Sequence, residues 1–220
     1  MSALVQLNGL PVSRARISLP RVGVWRAEVA LAQAEAFGEG RGTLQFGPSL
    51  SLTGTVRRSG SADGAGLLML VGGSGNLYRT ARPRAYRQAP CRIPLSDLLA
   101  EAEETLSPFA HREVLDAALP AWVTPSLPIC QCLAVLLGRA SASWRVLPDG
   151  TFWVGNEAWP EAPDFNHILL TEVPLADAFE LFTQEPALLP GQTFRERRVS
   201  YVEHHVTGDD VRTVAYLEAA

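Results

Sequence analysis

Alternation of apolar and polar residues dominates the first 88 residues. Trp25, Val29 and Leu31 share one parity, and Arg26 and Glu28 fall on the other. A period of two is typical of a half-buried strand. Similar short segments follow one another between Gly and Pro turns: Leu4–Leu7, Arg14–Leu19, Thr43–Phe46, Leu50–Arg57 and Gly64–Val71. The pattern predicts a small antiparallel barrel or sandwich in this first part of the chain.

Helical spacing replaces the alternation in the middle of the chain. Apolar residues between Leu95 and Leu106 recur every three or four positions, and Ser96 is a candidate helix cap. A second helix is predicted over Leu127–Arg139, with Gly138 as its stop signal. Two short helices are therefore expected after the first β-region.

The rest of the middle segment predicts a hairpin and a loop. Ser143–Val154 has strand-like halves on either side of a Pro-Asp-Gly turn. Residues 107–126 contain three prolines and predict a loop with one helical turn near Val114–Leu119. Residues 89–155 are thus predicted to be an inserted α+β module of two helices and a hairpin.

Strand patterns return in the last third of the chain. The predicted strands are His167–Glu172, Thr193–Arg198, Arg198–Val206 and Val211–Leu217. Leu175–Leu181 fits both a helix and a strand. No strict sequence repeat is visible, but the two β-regions are of the same kind. The predicted fold class is a β-rich α+β chain, in which two small antiparallel β-barrels (1–88 and 156–220) flank the inserted module.

Composition excludes several classes of protein. The chain has 220 residues, of which 47% are hydrophobic and 19% charged, so it is expected to be folded rather than intrinsically disordered. The formal net charge of −4 argues against an electrostatic nucleic-acid binder. The longest apolar runs are far shorter than a membrane span, and the first residues lack the pattern of a secretory signal.

Candidate metal and catalytic residues are few. Cys130 and Cys132, with Cys91 or His111, could form a zinc site, but residues two apart on a helix point in nearly opposite directions. Glu203-His204-His205 could form a metal or acid–base cluster, although strand alternation allows only one of the two histidines to join Glu203. Gly72–Asn76 predicts a plain turn. We therefore expect no cofactor, no metal, no disulfide and no enzymatic activity.

Two arginine runs are the sharpest charge features. All 19 basic residues of the chain are arginine. The first run, Arg79–Arg87, contains Arg82, Arg84 and Arg87, and the second contains Arg195, Arg197 and Arg198. Both runs could be solvated surface, or they could dock an acidic neighbouring subunit, because the guanidinium fork pairs well with carboxylates at interfaces.

Four stretches together resemble the tail hub proteins of phages. The first combines Val5-x-Leu7-Asn8-Gly9 with the strand patterns of residues 16–20 and 24–29. The others are Leu95–Leu106, Ser143–Gly155 and the ending Leu189–Leu217. Their order along the chain is similar to the baseplate hub proteins of contractile-tailed, Mu-like phages, which are related to the late control protein D family.

The resemblance implies a structural protein of the virion tail that assembles in the host cytoplasm. In that family, two barrels per chain form a homotrimeric ring that joins a six-fold tail tube, or distal tail proteins, to a three-fold spike or tip protein. It implies neither specific nucleic-acid binding nor a membrane span. The alternative is a peptidoglycan- or carbohydrate-binding or hydrolytic tail-tip module. That alternative would use the aromatic residues of the middle region, which are Trp122, Trp144, Phe152, Trp153 and Trp159.

Overall fold

The structure is a computed structural model that describes most of the chain. The described ranges are 5–32, 39–62, 65–173, 177–184, 186–208 and 210–218. Leu4, Gly64 and Leu175, which begin three of the predicted segments, lie outside these ranges. No helix in the described part of the chain is long and apolar enough to span a membrane.

The first β-region is a closed barrel of antiparallel strands. Its strands are β1 (Val5–Leu7), β2 (Leu10–Pro20), β3 (Arg26–Leu31), β4 (Gly40–Phe46), β5 (Leu50–Ala62) and β6 (Ala65–Gly72). They pair in the order β1-β4-β5-β6-β3-β2, and β2 pairs back with β1. Alternate apolar residues fill the interior, among them Leu44, Phe46 and Leu52, all fully buried.

Trp25 fills one end of the barrel because two glycines leave room for its indole. A Cβ atom on Gly54 would lie 2.8 Å from the Trp25 ring, and one on Gly72 would lie 2.6 Å from it. The indole N–H donates a hydrogen bond to the carbonyl oxygen of Leu147, at 3.2 Å. Trp25 therefore links the barrel to the hairpin of the inserted module.

The inserted module contains three helices and two small sheets. Its elements are β7 (Arg84–Pro90), α1 (Arg92–Ala102), α2 (Arg112–Asp116), β8 (Ala118–Thr124), α3 (Ile129–Gly138), β9 (Ser143–Val146) and β10 (Phe152–Gly155). The two main helices pack together through buried leucines, and β9 and β10 form the predicted hairpin. Both expectations are confirmed.

Two local predictions in this module are wrong. Part of the predicted loop 107–126 is strand β8, which pairs with β7 and buries Leu119 and Trp122. A two-stranded ribbon has free edges and so tolerates Pro120, the kind of residue that suggested a loop. Ser96 is not a cap, because α1 begins four residues earlier, after Cys91.

The second β-region is built from the last five strands. They are β11 (Ile168–Val173), β12 (Ala178–Phe182), β13 (Thr193–Phe194), β14 (Arg197–Thr207) and β15 (Asp210–Leu217). The order β14-β15-β12-β11 is antiparallel throughout, and β13 pairs with β14. The predicted final hairpin is confirmed, although its turn residue Asp209 lies outside the described ranges. The ambiguous segment contains strand β12.

The two β-regions repeat one strand order. In the first, β4-β5-β6-β3-β2 are neighbours, and in the second the corresponding sequence is β13-β14-β15-β12-β11. The repeated order agrees with the prediction that the two β-regions are of the same kind. The regions also share one sheet, because β2 and β14 pair over seven residues, from Arg14–Thr207 to Pro20–Tyr201.

The two regions differ in whether their strands close into a barrel. In the described residues the second region forms no counterpart of the β1–β2 pairing, so its ladder ends at β11. The fold class is confirmed as β-rich, with a barrel and a small helical insertion. The domain boundaries at residues 88 and 155 stay predictions. Residues 84–88 belong to β7, which pairs with β8.

Candidate docking surfaces

The first arginine run lies beside the acidic side of α1. An Arg84 guanidinium nitrogen is 3.3 Å from the Asp97 carboxylate, and Glu101 lies 3.9 Å from Arg82 and 4.0 Å from Arg84. The backbone N–H of Arg82 also donates to Glu101, at 3.0 Å. Arg82 and Arg84 thus share partners within the chain, whereas Arg87 is exposed on β7 without an ion pair in the described residues.

The second run lies at the hairpin between β13 and β14. Arg195 is exposed at the turn, with a φ of 51°. Arg197 pairs with Asp177 at 3.2 Å. Arg198 lies 3.7 Å from Glu218 and stacks 4.9 Å from the ring centre of Trp159. In the described residues no hydrogen bond or ion pair joins this run to the first, so the structure places them as two separate surfaces.

The docking role of both runs stays a prediction. Four of the six arginines, 82, 84, 197 and 198, have carboxylate partners within the chain. The side chains of these four arginines are 38–81% exposed, and exposed ion pairs contribute little free energy. A neighbouring subunit could therefore replace them at little cost.

Aromatic residues of the middle region mainly fill its core. Trp122, Trp144 and Trp153 are all less than 10% exposed, and Phe152 is fully buried. Trp159 is half-buried and contacts the guanidinium groups of Arg21 and Arg198, 5.5 Å and 4.9 Å from its ring centre. A sugar-binding platform needs an open aromatic face, and the four buried rings offer none.

A buried carboxylate joins the inserted module to its surroundings. The Glu157 side chain is 7% exposed and pairs with Arg145 and, at 3.9 Å, with Arg21. Arg145 also stacks on Trp153, 4.3 Å from the ring centre. This cluster lines a small cavity between the β9–β10 hairpin, the barrel and the loop before β13. Each charged group in the cluster has an oppositely charged partner within it, so we interpret the cluster as a structural junction.

The three consecutive residues Glu203, His204 and His205 separate as strand alternation predicts. His205 lies 3.3 Å from Glu203 on the open face of the sheet. His204 points to the opposite side, is fully buried, and shares a hydrogen bond of 2.8 Å with the Thr213 hydroxyl. Burial lowers the pKa of His204 from 6.5 to about 3, with a smaller contribution from the charge of His205.

Glu203 is the centre of a polar cluster at the β2–β14 seam. Arg16 donates to its carboxylate at 3.0 Å and the Tyr201 hydroxyl at 3.2 Å. Burial alone would raise the pKa of Glu203, but the hydrogen bond and charge of Arg16 outweigh it and lower the pKa. Arg16 was not among the predicted site residues. Its alternation with Arg14 marks an exposed strand face, but the neighbouring strand cannot be read from sequence.

Metal-binding geometry is missing from the described residues. None of the groups of His, Cys, Asp and Glu in those ranges is placed to hold a metal ion. Cys91 and Cys132 are buried free thiols, and Cys130 is half-buried. Burial raises the pKa of all three.

The open face of the shared sheet spans eight strands and carries both signs of charge. It includes a groove of about 660 Å³ across β14, β2, β3, β6 and β5. The registers place the following charged residues on this face: Arg14, Arg16, Arg26, Arg58, Arg212, Glu28, Glu180, Glu203 and Asp210. Positive groups outnumber negative ones by one on this face, whereas the chain as a whole has a formal net charge of −4.

Both ends of this sheet are free edges. At one end β11 pairs with β12 only, and at the other the residues Arg58–Ala62 of β5 pair with β6 only, within the described ranges. Exposed apolar side chains line β11: Ile168 (59% exposed), Leu170 (46%) and Val173 (38%). An exposed apolar edge strand is a pairing surface unless it is covered.

Comparison with solved structures identifies the fold. The 43 kDa tail protein of prophage MuSo2 from Shewanella oneidensis matches with a TM-score of 0.68 at 8% identity, over 97% of both chains. The tail protein from Neisseria meningitidis MC58 matches with a TM-score of 0.67 at 14% identity, over 98% of this chain and 95% of that one. The chain has the fold of phage tail proteins.

A third match extends the comparison to secretion systems. The E. coli c3393 protein matches with a TM-score of 0.65 at 12% identity, over 98% of this chain and 77% of that chain. It is described as a component of the type VI secretion system with structural similarity to the T4 bacteriophage tail proteins gp27 and gp5. No protein-family model and no curated protein matches the chain. The resemblance to tail hub proteins is therefore confirmed at the level of fold.

Proposed function

We propose that this tail-fold protein is a structural hub of a phage tail. Three copies form a ring that joins a six-fold tail tube to a three-fold spike or tip. The observation that carries the proposal is the repeated strand order of the two β-regions. Three copies of a chain with two similar units present six similar units in a ring, which a six-fold tube can match on one face.

The shared sheet supports assembly into a ring. A heterologous contact joins two different surfaces, and it closes into a ring when the rotation between copies allows it. The free edges of β11 and β5 are different surfaces at opposite ends of one sheet. Contacts between them would cover both edges in every copy, leaving none exposed.

The open face fits a passage wall better than a binding site. Its arginines are interspersed with carboxylates, and Arg16 and Arg212 pair with Glu203 and Glu180 on that face. Tight nonspecific binding to nucleic acid needs an excess of unpaired positive charge. A ring with this lining would let a polyanion pass without retaining it.

Mass and symmetry in solution test the proposal. Native mass spectrometry of the purified full chain is expected to show a trimer, and negative-stain images are expected to show a ring with three-fold symmetry. A chain that stays monomeric at its highest soluble concentration would contradict the proposed function. A ring with a symmetry other than three would contradict the adapter role.

A further inference from the structure

The β2–β14 seam shows how one β-unit of this chain pairs with the next. In the repeated order, β2 is the last strand of the first unit, and β14 is the counterpart of β5 in the second unit. Their antiparallel pairing runs over seven residue pairs. A last strand of one unit therefore pairs with a β5-type strand of the following unit.

The same two kinds of strand are left unpaired at the ends of the sheet. β11 is the counterpart of β2, but in the described residues it pairs only with β12. The outer half of β5 corresponds to the part of β14 that pairs with β2, and it pairs only with β6 because the β4 ladder stops at Val56. In the described residues, the β11 edge is thus a β2-type strand without a β5-type partner. The β5 edge is the reverse, because it lacks a β2-type partner.

We propose that β11 of one copy pairs with residues 60–62 in β5 of a second copy, and that this contact repeats the internal seam. The proposal rests on the proposed ring and assigns the edges through which its copies meet. Strand direction agrees with it. Neighbours alternate in direction across the eight strands from β5 to β11, so β11 and the next β5 run antiparallel, as β2 and β14 do.

The internal seam also fixes the register. Thr207 and Ala62 are equivalent, because each pairs with the residue three positions later, where the next strand begins. Ser13 and Leu170 are equivalent, because each is the extra residue at the bulge near the start of its strand. Thr171 therefore corresponds to Arg14, the partner of Thr207.

Transferring the internal pairs gives the residues that meet between copies. Arg14–Thr207, Ala15–Val206 and Arg16–His205 are paired in the seam. Their counterparts are the following pairs, each joining β11 of one copy to β5 of the next: Thr171–Ala62, Glu172–Ser61 and Val173–Gly60.

Side chains at these positions are compatible with close pairing. Gly60 has open space around its Cα, so Val173 can lie against it without a clash. The exposed Glu172 side chain has no ion pair in the described residues, and the Ser61 hydroxyl can donate a hydrogen bond to it. The exposed Leu67 of β6, which pairs with Gly60, adds apolar surface on the side that Val173 occupies.

Disulfide trapping tests the register directly. The double variant Gly60→Cys with Val173→Cys is expected to form covalent trimers on mild oxidation, and each single variant is expected to form none. The matched control is Ala62→Cys with Val173→Cys, which shifts the register by two residues on the same face and is expected to cross-link at least about tenfold less. The unsubstituted chain reports any contribution from Cys130.

Charge on the edge strand provides an independent test. Val173→Lys should leave the fold of the monomer intact, because this side chain is 38% exposed. We expect this variant to raise the concentration for half-assembly about tenfold, because a charge then lies against Gly60 and the apolar surface of Leu67. Val123→Lys changes an apolar residue that is 64% exposed on the inserted module, and it should leave assembly unchanged.

The outcomes separate this inference from the proposed function. Trimers that form normally but neither cross-link through residues 60 and 173 nor respond to Val173→Lys would overturn the inference and leave the hub function standing. Cross-linking of the shifted control instead would overturn the register. A chain with no oligomer at any concentration would overturn the proposed function itself.

Discussion

The two β-regions share a strand order and differ in how they end. In the first region the short strand β1 pairs with both β4 and β2 and closes the barrel. In the second region β11 ends the ladder, with five of its six residues exposed. A closed region satisfies its backbone hydrogen bonds within the chain, whereas an open one needs a neighbour. In the described residues, one chain thus contains a closed barrel with one unpaired edge at the end of β5 and a second region that does not close.

The two regions also differ in how far the apolar side chains of their equivalent strands are buried. β2 pairs with β3 on one side and with β14 and β1 on the other, and its apolar residues such as Ile17 and Leu19 are buried. The equivalent strand β11 carries apolar residues of similar size that remain exposed. Apolar side chains on these two equivalent strands therefore have different uses: folding in the first region and, as we propose, association in the second.

The largest expected effect comes from emptying the closed barrel. Trp25→Ala removes a side chain that is 1% exposed and is held between two glycines, so it should lower the free energy of unfolding by about 3–5 kcal/mol. Hydrogen exchange should accelerate in β14 and β15 as well as in the barrel, because β2 belongs to both regions. Urea unfolding and exchange measured by mass spectrometry check both expectations.

A matched exposed substitution controls for this variant. Val123→Ala lies on the surface of the inserted module and should change stability by less than about 0.5 kcal/mol. If Trp25→Ala accelerated exchange in the barrel alone, the two regions would be independent folding units and the shared sheet would not couple them.

A smaller effect is expected from acidification at the seam. His204 has a pKa of about 3 in the folded chain, against 6.5 when unperturbed. Below about pH 6.5 the His204 imidazole is protonated in the unfolded chain but stays neutral in the folded chain. The free energy of unfolding therefore falls progressively from about pH 6.5 down to about pH 3. Lowering the pH from 7.5 to 5 should reduce the free energy of unfolding by about 2 kcal/mol through this group, as measured by denaturant unfolding.

The variant His204→Asn isolates this contribution. Asparagine can retain a hydrogen bond to the Thr213 hydroxyl and cannot take up the proton. Its loss of stability between the two pH values should be smaller than that of the parent chain by about the same 2 kcal/mol. An equal loss in both chains would assign the acid sensitivity to groups other than His204.

The smallest effect on folding is expected at the second arginine run. Arg197→Glu and Arg198→Glu each break an exposed ion pair and should cost less than about 1 kcal/mol of stability. Both should impair assembly more than folding, and Arg197→Glu more strongly, because Arg198 is already engaged by Trp159 within the chain. Melting temperature and native mass spectrometry separate the two effects. Unfolding of both variants would make these residues structural.

Sequence patterns predicted the elements better than their connections. Alternation around Trp25 and the turn after Thr207 each located a strand correctly. β8 was missed because Pro120 suggested a loop, and a ribbon edge tolerates proline. The pairing of β2 with β14 joins residues nearly 190 positions apart, and no local pattern specifies a partner at that distance.

The same limit applies to the candidate surfaces. The arginine runs stand out because they are contiguous in sequence, and the structure places them in two separate locations. The Glu203 cluster and the free edge at β11 depend on which strands are neighbours. Ile168 and Leu170 in particular look like ordinary core residues in a sequence, and only the end of the ladder shows that nothing in the described chain covers them.

The β2–β14 seam has a mechanical consequence. Its seven residue pairs lie side by side along two antiparallel strands, one from each β-region. A load that pulls the two regions apart along the strand direction strains all of these pairs at once, in shear. A load across the strands would instead open them one after another, like a zipper. The seam would therefore resist a load along its strands far better than a load across them, without any added cross-link.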